Sequence, residues 1–335
     1  MSQITIYDIA KKAGVSIATV SRVMNNSDDI SDKTRKKVRR IADKLGYYPQ
    51  AYAQGLARRK KDRIMIMVPV ISNYFFMEVL AGIQAKIHDN NYELNIFNVG
   101  SDEETIYEQV ETIIKRQSAD GYILISLHFS SGRFENLLKY DTPITLVDET
   151  YTNIDSVSVN NVEGTRQAMR YLLDKGCRGI ALVGASDRSK PNRQRMAKYK
   201  NILRSEGVEV YESLIATGED MARDGFSERN GYEAMKKILN QQNVPDACFC
   251  VSDVQAIGAM KAMREANLNI PIIGYDDITI SKYIGLSTIR QPMYEMGNTA
   301  VESLLQRMDD KTAKIRQETF QPELVLRKST EVELP

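Results

Sequence analysis

Tryptophan is absent from this sequence, and histidine and cysteine are scarce, with two and three residues among 335. The two histidines, His88 and His128, form no cluster with the cysteines at the spacing of a zinc site. Cys248 and Cys250 lie two residues apart in an apolar segment, so we expect both on one face of a buried strand. The sequence predicts no metal centre, no disulfide framework and no cofactor.

Long apolar runs are also missing, because no stretch approaches the roughly 18 apolar residues in a row that are typical of a membrane-spanning helix. The first residues, MSQITIYD, contain no basic segment followed by an apolar one, which is the pattern of an export signal. We therefore expect a cytoplasmic protein without a membrane partner. An apolar content of 42% in a chain of this length is sufficient for two or three domains.

Motifs of nucleotide-binding enzymes are absent as well. Neither G-x-G-x-x-G nor G-x-x-x-x-G-K-[ST] follows an expected strand, and neither histidine lies in a pattern typical of an activated nucleophile. We expect a binding protein and not an enzyme.

The charges are distributed unevenly, although the net charge of the chain is only +1. Residues 1–61 contain 14 Lys and Arg against 5 Asp and Glu, a net charge of +9, and the remaining residues have a net charge of −8. A charge run alone is usually a solvated face. A whole small domain with this excess is typical of a protein that binds the phosphate backbone of a nucleic acid.

Three helices are predicted in the first 46 residues, over 6–13, 17–24 and 32–45, by capping residues and apolar spacing. The capping residues are Thr5, Ser16 and Ser31, and the glycines at the helix ends are Gly14 and Gly46. This arrangement indicates a helix-turn-helix unit with a third, supporting helix.

The next segment has weak helix propensity. Pro49 interrupts the helical pattern, and AYAQGLARRKK contains Gly55 within a helix too short to be stable alone. We expect residues 49–61 to form a hinge that folds only with a partner, between a headpiece of residues 1–48 and a body of residues 62–335.

From Arg63 onwards, apolar segments alternate with amphipathic ones. Strands are predicted over 64–70, 92–99, 121–126, 144–149, 179–184, 247–253 and 271–277. Buried strands that alternate with helices are typical of doubly wound parallel sheets. Seven such units predict an α/β body of two lobes rather than one.

The second predicted helix has a face free of core residues. This face lies opposite Val20 and Val23 and consists of Ile17, Ala18, Ser21 and Arg22. Arg22 can donate two hydrogen bonds to guanine, and apolar side chains can contact thymine methyl groups in a major groove. Small polar residues nearby suit phosphate oxygens, although each alone is equally well explained as a helix cap or surface residue. They are Thr5, Ser16, Thr19, Ser21, Asn25, Ser31 and Thr34.

The segments ITIYDIAKKAGVSIATVSRVMNN and SDKTRKKVRRIADKLGYYPQAYAQGLA resemble the N-terminus of the LacI/GalR family of bacterial transcriptional repressors. The likeness extends over nearly the whole chain, through VPVISNYFFMEVLAGI, SADGYILI, NNVEGTRQAMRYLLDKG, IALVG, IGAMKAM, IIGYDD and LSTIRQP in that order. The resemblance implies a sequence-specific regulator of carbohydrate-related genes.

The resemblance also assigns DNA contacts. The residues at base-contacting positions are Tyr7, Ile17, Ala18 and Arg22. The residues at hinge-helix positions, where paired leucines wedge into the minor groove and kink the duplex, are Ala53, Gln54 and Leu56. A palindromic operator implies a homodimer, and a DNA-bound repressor is expected in the bacterial nucleoid.

The body resembles periplasmic sugar-binding proteins, which hold a ligand between lobes. The resemblance implies an N-terminal lobe of about 62–160 and 290–320, and a C-terminal lobe of about 161–289 and 321–335. The residues at positions in or beside the ligand pocket are Phe75, Phe76, Asp148, Arg195, Phe226, Asp253 and Asp276. Carboxylates accept hydrogen bonds from hydroxyls, and a phenyl ring stacks on a sugar face, so this set suits a polyol. Core packing for the aromatics, and a structural role at a strand end for Asp253, are the alternatives.

The identity of the effector stays open at this point. The loop SDRSKPNRQR brings together Arg188, Lys190, Arg193 and Arg195, which suits a sugar acid or sugar phosphate, although a solvated loop is the simpler interpretation. QPMYEMG and SNYFF resemble the branch of the family whose corepressor is a serine-phosphorylated phosphocarrier protein. A small sugar-like effector is the first hypothesis, and the phosphocarrier protein is the alternative.

Overall fold

The computed structural model describes residues 4–24, 27, 29–47, 61–70, 74–100, 103–219 and 222–332. Internal packing divides the chain into two compact units, Met1–Asp62 and Arg63–Pro335.

The first unit contains α1 (Ile6–Ala13), α2 (Ile17–Met24) and α3 (Asp32–Leu45), and the predicted helix bounds are confirmed. Its small core includes the fully buried Ile9, Val20 and Val38. Gly14 and Gly46 end α1 and α3 with φ of 63° and 62°, a left-handed conformation that glycine adopts without a steric cost.

Arg35 joins α3 to the turn that precedes it. Its Nη2 atom donates hydrogen bonds to the carbonyl oxygens of Ser27 and Ile30, at 2.7 and 3.4 Å. One side chain thereby satisfies two carbonyl groups of the connection and fixes the angle at which α3 begins.

The second unit alternates strands and helices, as predicted. Its elements are β1 (Arg63–Val68), α4 (Tyr74–His88), β2 (Glu93–Asn98), α5 (Glu103–Lys115), β3 (Gly121–Ile125), α6 (Ser131–Leu138), β4 (Ile144–Val147), β5 (Asp155–Val159), α7 (Asn161–Asp174), β6 (Ile180–Val183), α8 (Lys190–Ser205), β7 (Ile215–Ala216), α9 (Glu228–Leu239), β8 (Ala247–Cys250), α10 (Asp253–Glu265), β9 (Ile272–Asp276), α11 (Thr279–Ile284), β10 (Ser287–Arg290), α12 (Met293–Asp309), β11 (Gln317–Phe320) and β12 (Glu323–Val325).

These strands form two six-stranded sheets, in the orders β11-β5-β4-β3-β1-β2 and β12-β10-β9-β8-β6-β7. The strand pairs are parallel, except for the antiparallel pair of β10 with β12. The α/β fold class with two doubly wound sheets is confirmed. We call the first sheet and its helices the N-terminal lobe, and the second sheet and its helices the C-terminal lobe.

The chain passes between the lobes at three places: after β5, before α12, and between β11 and β12. Helix α12 returns to the N-terminal lobe and packs against α4 so closely that a Cβ atom at Gly82 would lie 2.0 Å from the carbonyl oxygen of Tyr294. The three connections define the sides of a cleft between the carboxyl ends of the strands.

The two cysteines of β8 lie where the sequence predicts them. Cys248 and Cys250 are fully buried on β8, with their Sγ atoms 3.6 Å apart, which confirms a core position for both. Among the helices of the described ranges, none is both long and apolar enough to cross a membrane.

Candidate functional site

The outer face of the helix-turn-helix unit is exposed where base contacts are predicted. The exposed residues are Tyr7, Ile17, Ala18 and Arg22. Ile17 keeps 41% of its surface exposed, whereas Val20 and Val23 on the opposite face are fully buried. A small unit that buries its valines and leaves an isoleucine and a tyrosine in solvent has an apolar surface available for a partner.

Three of the hydroxyl groups that are predicted to contact phosphates form hydrogen bonds at the starts of the helices. The backbone nitrogen and hydroxyl of Thr5 both donate to Asp8 Oδ2, at 2.9 and 2.7 Å, and these bonds lower the pKa of Asp8. Ser16 Oγ accepts a hydrogen bond from the backbone nitrogen of Thr19 at 3.1 Å. At the start of α3, Ser31 accepts in the same way from Thr34. Phosphate contacts by these residues, and by the half-buried Ser21, stay predictions.

Several predicted DNA contacts lie outside the described residues. They are Asn25, which follows α2 in the sequence, and Ala53, Gln54 and Leu56, which belong to the segment predicted as a hinge.

A cavity of about 470 Å³ lies between the two lobes of the body. Six of the seven residues predicted for the effector pocket line it: Phe75, Phe76, Asp148, Arg195, Phe226 and Asp276. The rings of Phe75 and Phe76 pack edge to face, with centroids 5.7 Å apart. Apolar rings beside a few charged groups are typical of a small-molecule site.

Arg195 of α8 is the cation of this cavity, and it is only 3% exposed. Its Nε donates to Asn161 Oδ1 at 2.9 Å and its Nη1 donates to the carbonyl oxygen of Val251 at 2.5 Å. Its guanidinium carbon lies 3.5 Å from the ring centroid of Tyr275, and its Nη1 is 4.0 Å from Asp276 Oδ1. The guanidinium is therefore held rigidly, and its position does not depend on a ligand.

The two carboxylates nearest to Arg195 are hard to ionise. Burial raises the pKa of Asp276 to about 7, although Arg195 opposes this change. Burial also raises the pKa of Asp148, against the opposing effects of His128 and of Ser126, whose hydroxyl donates to Asp148 Oδ2 at 2.8 Å. A carboxyl group near its pKa at neutral pH can donate as well as accept a hydrogen bond, which suits a ligand with several hydroxyls.

Backbone conformation is unusual at the strand ends that face the cavity. Ser126 after β3, Asp148 after β4 and Asp276 at the end of β9 have φ of 50°, 61° and 122°. Non-glycine residues adopt positive φ rarely and at a cost of order 1–3 kcal/mol. Strain at three strand ends that face one cavity indicates that the positions of these side chains are functionally important, although positive φ also occurs at residues away from the cavity.

The prediction that Asp253 belongs to the pocket is corrected, because this residue does not line the cavity. Its carboxylate is fully buried and accepts hydrogen bonds from Thr288 Oγ1, Ser281 Oγ and the backbone nitrogen of Ile278, at 2.5, 2.7 and 3.0 Å. The three donors hold β10 and the start of α11 together. Its side chain is structural, while the flanking Ser252 and Val254 reach the cavity.

Several lining residues were not predicted. Gln291, which follows β10, and His128, which lies three residues after β3, both line the cavity. Asn98 at the end of β2 does so as well. Their common signal is a polar residue at or just beyond the carboxyl end of a parallel strand, where ligands bind in open α/β sheets.

The cationic loop does not form an anion site. Of its four cations, only Arg195 lines the cavity. Arg188 lies 3.5 Å from Asp224, Lys190 pairs with Glu149, and Arg193 donates to backbone carbonyl oxygens of its own loop. The simpler interpretation of the loop, as a partly solvated one with internal pairing, fits these contacts.

Comparison with known proteins agrees with this architecture. Residues 5–50 match the model of the bacterial regulatory proteins of the lacI family, and residues 169–330 match a periplasmic binding protein-like domain. A ribose operon repressor of Haemophilus influenzae is 34% identical over 97% of this chain and 98% of its own. A structure of the lac repressor dimer bound to operator and the anti-inducer ONPF superposes with a TM-score of 0.85 at 28% identity, covering 98% and 99% of the two chains. A lacI-family regulator from Enterococcus faecium with bound ribose has a TM-score of 0.70 at 26% identity, covering 82% and 100%.

A helix-turn-helix unit with an exposed second helix, together with a two-lobed body around a cavity of apolar rings and a few charged groups, defines a DNA-binding regulator with a ligand-binding domain. The chain belongs to the lacI family of bacterial regulatory proteins. Its relatives are transcriptional regulators and not enzymes.

Proposed function

We propose that this protein binds palindromic operator DNA as a homodimer, and that a neutral sugar in the interlobe cavity changes its affinity for the operator. The observation that supports the effector best is the convergence of Asp148 from the N-terminal lobe with Arg195 and Asp276 from the C-terminal lobe in one cavity. A ligand that contacts both lobes favours one closure angle, and this preference is what couples the cavity to DNA affinity.

The charges of the cavity favour a neutral polyol over an anionic sugar. Among the described residues, three carboxyl groups, of Asp148, Asp224 and Asp276, line it beside the guanidinium of Arg195 and the imidazole of His128. A phosphate or a sugar acid would bring a further negative charge towards these carboxyl groups. Protonation of an aspartate with a raised pKa removes its repulsion of such an anion, but it does not attract the anion. The ribose bound by the Enterococcus faecium relative supports a sugar as the class of ligand.

The dimer is supported by an exposed apolar edge of the N-terminal lobe. Strand β2 is the outermost strand of its sheet, and Ile96 and Phe97 on it are 44% and 40% exposed. Met77 on the neighbouring α4 is also exposed. Apolar side chains on a sheet edge in water are typical of a protein interface, and a two-fold operator requires a second copy of the headpiece.

A combined experiment tests both parts. Operator duplexes are first selected from a random pool with the full-length protein, and operator affinity is then measured by fluorescence anisotropy with D-ribose, D-gluconate and D-ribose 5-phosphate. Thermal unfolding with the same compounds reports binding directly, because a ligand at 100 times its Kd stabilises the folded state by about 2.7 kcal/mol.

We expect the neutral sugar to raise the unfolding temperature and to shift operator affinity, and the two anions to do neither. The sugar effector would be refuted if none of a panel of neutral sugars changed the operator affinity or the unfolding temperature. A change in operator affinity caused instead by a serine-phosphorylated phosphocarrier protein would support the alternative. Failure to enrich any duplex would refute the DNA-binding part.

A further inference from the structure

One ion pair joins the two lobes beside the ligand cavity. Lys190, the first residue of α8 in the C-terminal lobe, contacts Glu149 Oε1 with its Nζ atom and lies 3.2 Å from Thr150 Oγ1. Glu149 and Thr150 follow β4 of the N-terminal lobe. In the described ranges of the body, the other ion pairs that the structure shows lie within one lobe.

The acidic partner of this pair is buried and held from three sides. The Glu149 side chain is 7% exposed. Its Oε2 is 2.8 Å from His128 Nδ1, and its Oε1 accepts a hydrogen bond from the backbone nitrogen of Thr150 at 2.7 Å. Burial alone would raise the pKa of Glu149, but hydrogen bonds from His128 and Lys190 outweigh this effect and hold the pKa below its usual value. The carboxylate is therefore ionised at neutral pH.

Lobe opening separates this carboxylate from Lys190. A buried charge that loses its hydrogen-bonded partner is costly, since bonds to charged groups contribute more than those between neutral groups. Lys190 is 30% exposed and regains water on opening, but Glu149 stays attached to the N-terminal lobe through His128 and Thr150. Lobe opening is therefore unfavourable chiefly because the buried Glu149 carboxylate loses its contact with the Lys190 ammonium.

We propose that His128, Glu149 and Lys190 form an interlobe latch that holds the body closed when the cavity is empty. In the latch, Lys190 supplies the contact across the cleft, Glu149 is its anchor, and His128 is a positioning residue that orients Glu149. His128 also lines the cavity, so the latch is adjacent to the ligand. Only this link to the ligand rests on the proposed function, because closure of the empty body requires neither sugar nor DNA.

The test measures lobe closure in the ligand-free, full-length protein. Spin labels at Ser130→Cys and Arg204→Cys, both exposed and in different lobes, report the interlobe distance by double electron–electron resonance. Dilution of the labelled chain with unlabelled chain removes distances between protomers. The three native cysteines are buried and therefore protected from the label.

Lys190→Met is the diagnostic variant, and Lys200→Met is its matched control. Lys200 lies on the same helix and pairs with Glu212 within the C-terminal lobe, so its replacement removes an ion pair of the same type without touching the cleft. We expect Lys190→Met to raise the ratio of open to closed molecules by roughly tenfold, the effect of losing one hydrogen bond to a charged group. His128→Ala should shift the ratio in the same direction by a smaller factor.

A charge exchange, Lys190→Glu with Glu149→Lys, should restore part of the closed population. The latch is refuted when Lys190→Met and Lys200→Met give the same distance distribution as the parent. Neither result bears on the sugar effector, whose test uses ligand response and operator affinity.

Discussion

Gln291 Nε2 donates a hydrogen bond to Asp276 Oδ1 at 2.6 Å, while the carbonyl oxygen of the same amide, Oε1, is buried without a hydrogen-bond partner. Both residues line the interlobe cavity. An unsatisfied buried acceptor costs of order 1–3 kcal/mol, and a ligand hydroxyl that donates to Oε1 would remove this cost. The pair therefore presents an oriented carboxyl group and a carbonyl oxygen that can accept a hydrogen bond from a ligand.

The first prediction concerns this amide. Gln291→Leu should weaken sugar binding by about 1–3 kcal/mol, because both the orienting bond to Asp276 and the unsatisfied acceptor are lost. The matched control is Gln194→Leu, since Gln194 pairs with Asn161 and does not line the main cavity. Isothermal titration calorimetry measures both affinities. Equal affinities for the two variants would contradict a role for Gln291 in the ligand site.

The second prediction concerns base contact by α2. Arg22→Ala should lower the ratio of operator to random-DNA affinity by about 1–3 kcal/mol, the usual contribution of a bidentate arginine to discrimination between bases. Arg40→Ala is the matched control, since Arg40 is an exposed arginine on α3 and its loss removes the same charge. The control should weaken binding to both duplexes alike and reduce its salt dependence. An unchanged ratio in Arg22→Ala would refute base contact by this residue.

The third prediction concerns the dependence of stability on pH. Burial raises the pKa of Asp276 to about 7, whereas the unfolded chain ionises this group near its ordinary value of 3.8. Between these values the folded state binds more protons than the unfolded state, so the contribution of Asp276 to the free energy of unfolding falls as pH rises, by about 1.4 kcal/mol per pH unit.

Asp276→Asn should therefore flatten the decline in stability between pH 5 and pH 7, as followed by urea unfolding monitored by circular dichroism. Burial also raises the pKa of Asp148 and Asp253, so part of the decline should persist in the variant. Parallel stability profiles for parent and variant across this window would contradict the assignment.

The fourth prediction separates structure from ligand binding at Asp253. Asp253→Ala leaves two hydroxyls and the backbone nitrogen of Ile278 without their acceptor, and should lower the free energy of unfolding by about 3–5 kcal/mol. Its effect on the sugar affinity of the folded fraction should be small, since it is the backbone of Asp253 that bonds to Asp276. A large loss of sugar affinity with an unchanged free energy of unfolding would show that the Asp253 side chain belongs to the ligand site.

The headpiece could be predicted from local signals alone. Thr5, Ser16 and Ser31 each precede a helix and form a hydrogen bond within its first turn, and Gly14 and Gly46 end α1 and α3. Because such capping interactions are local, their positions in the sequence determine helix bounds without knowledge of the tertiary structure.

Most of the predicted strands of the body are apolar, and most of the missed strands are partly polar. Strand β5 contains Asp155 and Ser156, which are buried yet polar, and its carboxylate is held by Arg307 at 2.8 Å from 152 residues further along the chain. Strands β10, β11 and β12 are short and partly polar as well. A partner so distant in sequence leaves no local pattern from which such a strand can be predicted.

For the ligand site, the resemblance to a family correctly indicated six of the residues that line the cavity. Residue type alone could not show that Asp276 lines the cavity and Asp253 does not. Both are aspartates beside the carboxyl end of a strand. Three donors surround Asp253, whereas Asp276 has the unusual φ of 122° and faces the cavity. This difference depends on the packing of α11 and β10, which only the structure shows.

The three connections between the lobes also determine the order in which the protein is completed during synthesis. Strand β5 pairs with β11 through Ser156 and Gln317, so its second neighbour leaves the ribosome only after strands β6 to β10 of the C-terminal lobe have been made. At the usual elongation rate this delay is roughly 10–30 s. Helix α4 waits still longer for α12 to cover it, because more residues separate these two helices than separate β5 from β11. The N-terminal lobe is thus begun first but completed only after five strands of the C-terminal lobe have been made. Its nascent form has an open strand edge and an uncovered helix, and this is the stage at which we expect the chain to need chaperone protection.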